Sequence, residues 1–197
     1  MSGSFAKGPV NASSMEKPGW RVRSSSYVVD SPHMRLRVDE VELPDGTIVP
    51  NYYVREARGF ATIFALTRDQ QVVLVRQYRY GSDSIHLELP AGMLADDEDP
   101  HDCALRELAE ETGYVVERCE LVAQYVHEPV RSMARAYVYI GLGAAKTREA
   151  KLDPTEHLQV ELASLPRFRA MLQDGTIDAG GSIAAGYRCL DYLHRLE

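Results

Sequence analysis

Glu107, Glu110 and Glu111 set three carboxylates at positions i, i+3 and i+4 of one segment. On a helix, at about 100° per residue, they fall within about 100° of arc. The grouping is locally unfavourable. Like charges at this spacing repel, and the C-terminal half of a helix is where the macrodipole opposes negative charge. A hard divalent cation reverses that balance, because Mg²⁺ prefers oxygen ligands and takes few of them from protein. Charge clusters of this kind often mark function. The competing reading is a solvated acidic face, and the three residues alone leave both open.

The helix that must carry them is well marked at both ends. Asp99 suits the N-cap, Pro100 the first helical position, and Asp102 lies in the first turn. Gly113 is a natural stop. The pattern predicts a helix over 100–112, with Leu105, Leu108 and Thr112 on the core side, flanked by Ala104 and Ala109. Upstream, WRVRSSSYVV, MRLRVDEVEL and TIVPNYYV read as strands, with a turn at Pro44-Asp45-Gly46 between the second and third. GFATIFAL and QVVLVRQYRY read as buried strands, and GSDSIHLELPAG as a loop leading to the helix. LVAQYV, AYVYIGLGA and EHLQVELASL are expected strands, and further helices are expected over about 166–173 and 183–196. The fold class is mixed α/β without internal repeats. Residues 1–19, small, polar and Gly/Ser-rich, read as a disordered leader. An N-terminal sheet element over 20–57 then precedes a core over 58–197.

The chain has 197 residues, enough for one globular domain with a small appended element. Its formal net charge of −7 argues against nonspecific binding to a nucleic-acid backbone. No run approaches the roughly 18 apolar residues of a membrane span, and the N-terminus lacks the apolar stretch of a signal peptide. Cys103, Cys119 and Cys189 are odd in number and show no CxxC spacing. That argues against a disulfide framework and a zinc site and leads to the expectation of a cytoplasmic protein. Cys103, inside the helix, reads as a small packing residue.

The spacing around the helix adds a resemblance. From Gly92 come five residues, Glu98, seven residues, and then Arg106-Glu107-Leu108-Ala109-Glu110-Glu111-Thr112-Gly113-Tyr114. This resembles the Nudix box, G-x5-E-x7-R-E-U-x-E-E-x-G-U, at every specified position, with an aromatic residue in the last. The resemblance implies an α/β/α sandwich, here with an N-terminal antiparallel β-sheet element. It also implies hydrolysis of the pyrophosphate of a nucleoside diphosphate derivative with Mg²⁺, or Mn²⁺ in its place. By the same resemblance Glu107 and Glu111 bind metal, Glu110 supports a second metal, and the Ala91 carbonyl adds a ligand. Glu98 and Arg106 then pair to brace the loop against the helix, and Gly92 and Gly113 are structural. The metal would neutralise phosphate oxygens and lower the pKa of a bound water, while a carboxylate takes the proton.

Outer features resemble the ADP-ribose pyrophosphatase and nucleoside diphosphate sugar hydrolase branch. Pro129 lies 15 residues beyond Tyr114, Leu87-Glu88-Leu89-Pro90-Ala91-Gly92 resembles the E-x-P-A-G segment, and Arg76-Gln77-Tyr78-Arg79 resembles a phosphate-contacting Q-x-R. ADP-ribose, cut to AMP and ribose 5-phosphate, is therefore the leading substrate. Arg79, Arg131, Arg135 and Pro129 are the expected substrate-binding residues. The branch carries a catalytic Glu after the proline, but no acid follows Pro129 in its loop. Glu128 is the nearest substitute. The resemblance further implies a homodimer whose residue 20–57 sheet helps to build the base pocket. Alternatives are GDP-mannose or another nucleotide sugar as substrate, or a non-catalytic nucleotide-binding regulator on the same fold.

Overall fold

The computed structural model describes residues 19–152 and 157–195, and its contacts divide the chain after Glu56. The expected leader, and the C-terminal tip of the last expected helix, lie outside the described residues. The first unit is a three-stranded antiparallel meander: β1 (Arg21–Ser31), β2 (Met34–Glu42) and β3 (Ile48–Glu56). Its second turn is made by Asp45, whose carboxylate accepts the Thr47 N–H at 2.9 Å, and by Gly46 at φ +86°. That left-handed value suits glycine because it has no Cβ. β1 is exposed along nearly its whole length, although it carries Val22, Tyr27, Val28 and Val29.

The second unit begins with β4 (Phe60–Thr67) and β5 (Gln71–Arg79), a 3-10 turn (Tyr80–Ser82), β6 (Ser84–Glu88) and β7 (Ala91–Met93). α1 (Pro100–Thr112), β8 (Tyr114–Val115), β9 (Arg118–Val126), β10 (Arg135–Lys146) and β11 (Leu158–Ser164) follow. α2 (Leu165–Gln173) and α3 (Gly180–His194) complete it. One mixed sheet runs in the order β11-β5-β4-β10-β8, with β6 beside β5, β7 beside β4 and β9 beside β10. β4 and β10 are parallel; the other pairs are antiparallel.

The period of two along β4 explains the layers. Phe64 and Leu66 face a core with Phe168, Leu172, Ala185, Cys189 and Leu190 of α2 and α3. Ala61, Ile63 and Ala65 face a second core with Cys103, Ala104 and Leu108 of α1. Helices therefore cover both faces of the sheet, giving an α/β/α sandwich.

Two expectations need correction. The stretch expected as a loop, 81–92, holds β6 and most of β7. Ser84–Glu88 pairs with Arg79–Val75, and Ala91–Met93 with Thr62–Phe60. Strands of three and five residues, one with Ser84 and His86, carry too little alternation to be recognised alone. The buried side of α1 holds the expected Ala104, Leu108, Ala109 and Thr112 and is wider than expected. Leu105 is only half-buried, while Cys103 and Glu111 are buried. The helix packs on β4 and β7 together, so its contact stripe extends beyond the leucines.

Candidate active site

The site is built where β7 and α1 face each other. β7 is anchored on β4, and the Ile63 N–H donates to the Pro90 carbonyl and the Leu94 N–H to the Gly59 carbonyl, at 2.9 and 3.0 Å. α1 starts where expected: the Asp99 side chain accepts the His101 N–H at 2.8 Å, with Pro100 in the first turn. It ends at Gly113 in the left-handed region, φ +76°. Leu108, Ala104 and Cys103 seat it against the sheet, and that seating directs Glu107 and Glu111, one helical turn apart, toward β7.

Glu111 is 5% exposed, and its Oε2 accepts the Ala91 N–H at 3.2 Å. The solvated acidic face is therefore wrong for this residue. Glu107 lies so close to Gly92 that a Cβ built there would be 1.9 Å from its Oε1. Position 92 thus leaves room for the Glu107 carboxylate only as glycine. Glu110, part-buried, shares Arg106 with Glu107 and Glu98. Arg106 donates to Glu98 Oε1 and Oε2 at 2.7 and 3.0 Å, to Glu107 Oε1 at 2.7 Å and to Glu110 Oε2 at 3.0 Å. Glu98 also accepts the Ala95 N–H at 2.8 Å. Chiefly the Arg106 guanidinium, and then this N–H, bring the Glu98 carboxyl from 4.5 down to about 2. Arg106 is raised in turn, first by Glu98.

The side chains gathered here are carboxylates, whose oxygens suit Mg²⁺ or Mn²⁺ rather than a thiolate-binding metal. Among the described residues no three His, Cys, Asp or Glu side chains already converge as a metal cage. The guanidinium of Arg106 bridges Glu107 and Glu110, so a cation shared by them requires side-chain rotation. Cys103 is fully buried, and burial pushes its thiol up to about 12, which leaves it a packing residue.

Arg79 stands at the end of β5, and its Nε and Nη2 donate to Glu88 Oε1 and Oε2 at 3.0 and 2.7 Å. The fork is half-exposed and its partner largely buried. Glu88 lies within the segment quoted above, yet no role followed from it, because one sequence does not tell which strand lies alongside. Ser182, buried at the start of α3, was also not anticipated. It accepts the Leu89 N–H at 3.0 Å and pins the junction of β6 and β7.

Glu128, Pro129 and Arg131 lie in the turn between β9 and β10, with Arg135 opening β10. The Glu128 carbonyl accepts the Arg131 and Ser132 N–H groups at 3.2 and 2.9 Å. His127 meets the Phe60 ring edge-on at 5.5 Å. Ala136 pairs with Phe60, which pairs with Met93 on its other side. Two strand spacings, about 10 Å, therefore separate the base of this loop from the box turn. The loop and the carboxylates belong to the same end of the sheet.

The Nudix domain family matches residues 57–184, and the nucleoside diphosphate sugar hydrolase N-terminal domain matches residues 20–54. The chain belongs to the Nudix family. This Nudix chain is an enzyme of that family, a hydrolase of phosphoric anhydride bonds. It is 36% identical over 156 residues to the methanol dehydrogenase activator of Bacillus methanolicus, covering 78% of this chain and 84% of the relative. It is 35% identical over 167 residues to the CMP-5'-(N-acetyl-N-hydroxy-3-aminopropyl)phosphonate hydrolase of Streptomyces rubellomurinus, covering 83% and 79%. It is 30% identical over 126 residues to the ADP-ribose pyrophosphatase of Bacillus subtilis, covering 64% and 68%. A solved structure described as an ADP compounds hydrolase superposes with a TM-score of 0.80 at 18% identity, covering 93% of this Nudix chain and 97% of the other. At that identity the likeness speaks for the fold.

Proposed function

We propose that this Nudix hydrolase uses a divalent cation, Mg²⁺ or Mn²⁺, to cleave ADP-ribose to AMP and ribose 5-phosphate. The observation that carries this reading is the pair Glu107 and Glu111 seated against Gly92 and Ala91. Glu107, Glu111 and the Ala91 carbonyl would hold the ion, with Glu110 as a further ligand. When bound, the ion supplies charge neutralisation at the diphosphate and a more acidic water. The chain's own residues do the rest. Arg106 and Glu98 brace the loop on α1. Arg131 and Arg135 offer forked donors suited to phosphate oxygens, with Pro129 shaping their loop; Arg79, whose Nε and Nη2 are held by Glu88, would meet a phosphate by its other edge. Glu128 is the candidate to take the proton from water, supported by its place in the loop at the carboxylate end of the sheet.

ADP-ribose is favoured by the relatives from Bacillus subtilis, Escherichia coli and mouse, named ADP-ribose or ADP-sugar pyrophosphatase. The Streptomyces relative, similar over more of the chain, favours a second reading, a CMP-linked compound; GDP-mannose or another nucleotide sugar is the alternative from the box resemblance. Mass spectrometry of products from a panel of ADP-ribose, GDP-mannose and CMP-linked compounds, with Mg²⁺ and with chelator, separates the readings. AMP and ribose 5-phosphate formed fastest, and only with metal, is the expected result. Faster turnover of another compound transfers the assignment to it, and no turnover of ADP-ribose overturns the proposed substrate.

A further inference from the structure

His86, at the middle of β6, lies between two oxygens. Its Nδ1 is 2.6 Å from Asp178 Oδ1, and its Nε2 is 2.6 Å from Ser82 Oγ. Asp178 precedes α3, and Ser82 closes the 3-10 turn after β5, so three separate elements bring the side chains together. The hydrogen bond from His86 lowers the Asp178 carboxyl below its ordinary value. A carboxylate only accepts, so the Nδ1 that faces it at 2.6 Å is assigned the proton. In the neutral ring Nε2 is then a lone pair, and the Ser82 hydroxyl donates to it. The alternative acceptor for that hydroxyl, the Arg79 carbonyl, is farther away at 3.2 Å. Nucleophile, base and orienting carboxylate thus stand in the order and at the distances of a proton relay. The turn is held open to solvent: Asp83 sits in the left-handed region at φ 51°, with its carboxylate accepting from the Tyr78 hydroxyl at 2.8 Å. Tyr80, in the same turn as Ser82, is 88% exposed.

We propose that Ser82, His86 and Asp178 form a second reactive centre, apart from the carboxylate site, in which Ser82 Oγ attacks small activated carboxylic esters. The Oγ bonds to the acyl carbon as His86 Nε2 takes the hydroxyl proton. The ester C–O bond breaks, and the leaving alkoxide receives that proton. The products are an alcohol and an O-acyl Ser82; water, giving a proton to His86 Nε2, then attacks the acyl carbon, the bond to Ser82 Oγ breaks, Oγ takes that proton back, and a carboxylic acid leaves. An oxyanion hole is a separate device worth about 10²–10³-fold. Acyl-Ser82 is a less activated ester than the substrates that form it, so its formation outpaces its hydrolysis and product appears first as a burst.

The test treats the full chain with p-nitrophenyl acetate in chelator, follows p-nitrophenolate, and locates the acetyl group by peptide mass spectrometry. A burst with acetyl on Ser82 is expected. Ser82→Ala should abolish that label, and His86→Gln and Asp178→Asn should slow it by about 10²-fold, the usual contribution of a positioned base. Thermal unfolding read beside each variant distinguishes a lost relay from a lost fold, and Ser82→Ala, a surface change, keeps the decision if a His86 variant unfolds. Wild-type protein with no acetyl on Ser82, or equal labelling in folded Asp178→Asn, overturns the proposal.

Discussion

Glu111 shows how one side chain joins burial and chemistry. Its carboxylate is taken from water and held by the Ala91 N–H, in a position where a cation would be its natural partner. Glu111→Gln should lower kcat by about 10²–10⁴-fold, as expected for a lost metal ligand or proton-transfer group. The fold should persist, since like-charge repulsion on the helix falls. Steady-state kinetics with matched thermal melts check this, and near-normal turnover would place the metal elsewhere. Gly92 gives a sharper case. Because the atoms nearest a new Cβ belong to the mobile end of Glu107, Gly92→Ala should fold normally but displace that carboxylate. Weakened Mg²⁺ binding by calorimetry, at an unchanged melting temperature, is the expected result. Arg79→Ala strips a largely buried Glu88 of its fork. It should cost about 1–2 kcal/mol of stability and raise KM more than it lowers kcat. An unchanged KM would reduce Arg79 to a structural partner of Glu88.

At the scale of the element, α1 depends on its ends and on the brace beside it. Gly113 combines a left-handed φ with a tight backbone neighbour: a Cβ there would be 2.0 Å from the Arg148 carbonyl oxygen. Neither atom can yield as a side chain does, so Gly113→Ala should destabilise by more than about 1 kcal/mol, seen as a lower denaturation midpoint. The loop before α1 is tied by Glu98, and here the pH dependence has a definite sign. The folded carboxyl titrates near 2 against the ordinary 4.5. Its contribution is therefore complete above 4.5 and fades as pH falls toward 2. In Glu98→Gln that acid-limb loss should shrink relative to wild type, measured by denaturation at a series of pH values. Equal slopes in both proteins would show that the brace does not form in solution.

For the whole molecule the informative fact is the apolar surface exposed on and around β1. Trp20, Val22, Val28, Val29 and Met34 are all exposed, more apolar surface than a lone three-stranded meander holds comfortably in water. We expect the residue 20–57 element to pair with its counterpart in a homodimer, burying about 2,000 Å² or more. Light scattering at micromolar concentration checks this, and a stable monomer would remove both the dimer and the idea that a partner's strands complete the base pocket. Among the described residues no helix is long and apolar enough to cross a membrane.

The α1 reading succeeded because its signals are local. Asp99, Pro100 and Gly113 act through bonds within a turn of themselves, and the box spacing is a property of the chain alone. The mixed α/β class followed from apolar runs in β4, β5 and β10, whose period survives any neighbours, and the layered sandwich from the resemblance of the box. What tertiary structure decided is everything that depends on who lies alongside. Sequence placed Glu107, Glu110 and Glu111 on one side of a helix. Only packing on β4 and β7 separated them into a buried Glu111, a Glu107 against Gly92 and a Glu110 shared with Arg106. Arg79 was visible at a strand end, but its partner Glu88 became known only through the pairing of β6 with β5. The loop expectation for 81–92 failed for the same reason: short strands are defined by ladder hydrogen bonds, which no run of five residues encodes by itself. His86, Ser82 and Asp178 span 97 positions by number (82 to 178), and a triad assembled by folding over that separation leaves no spacing to read.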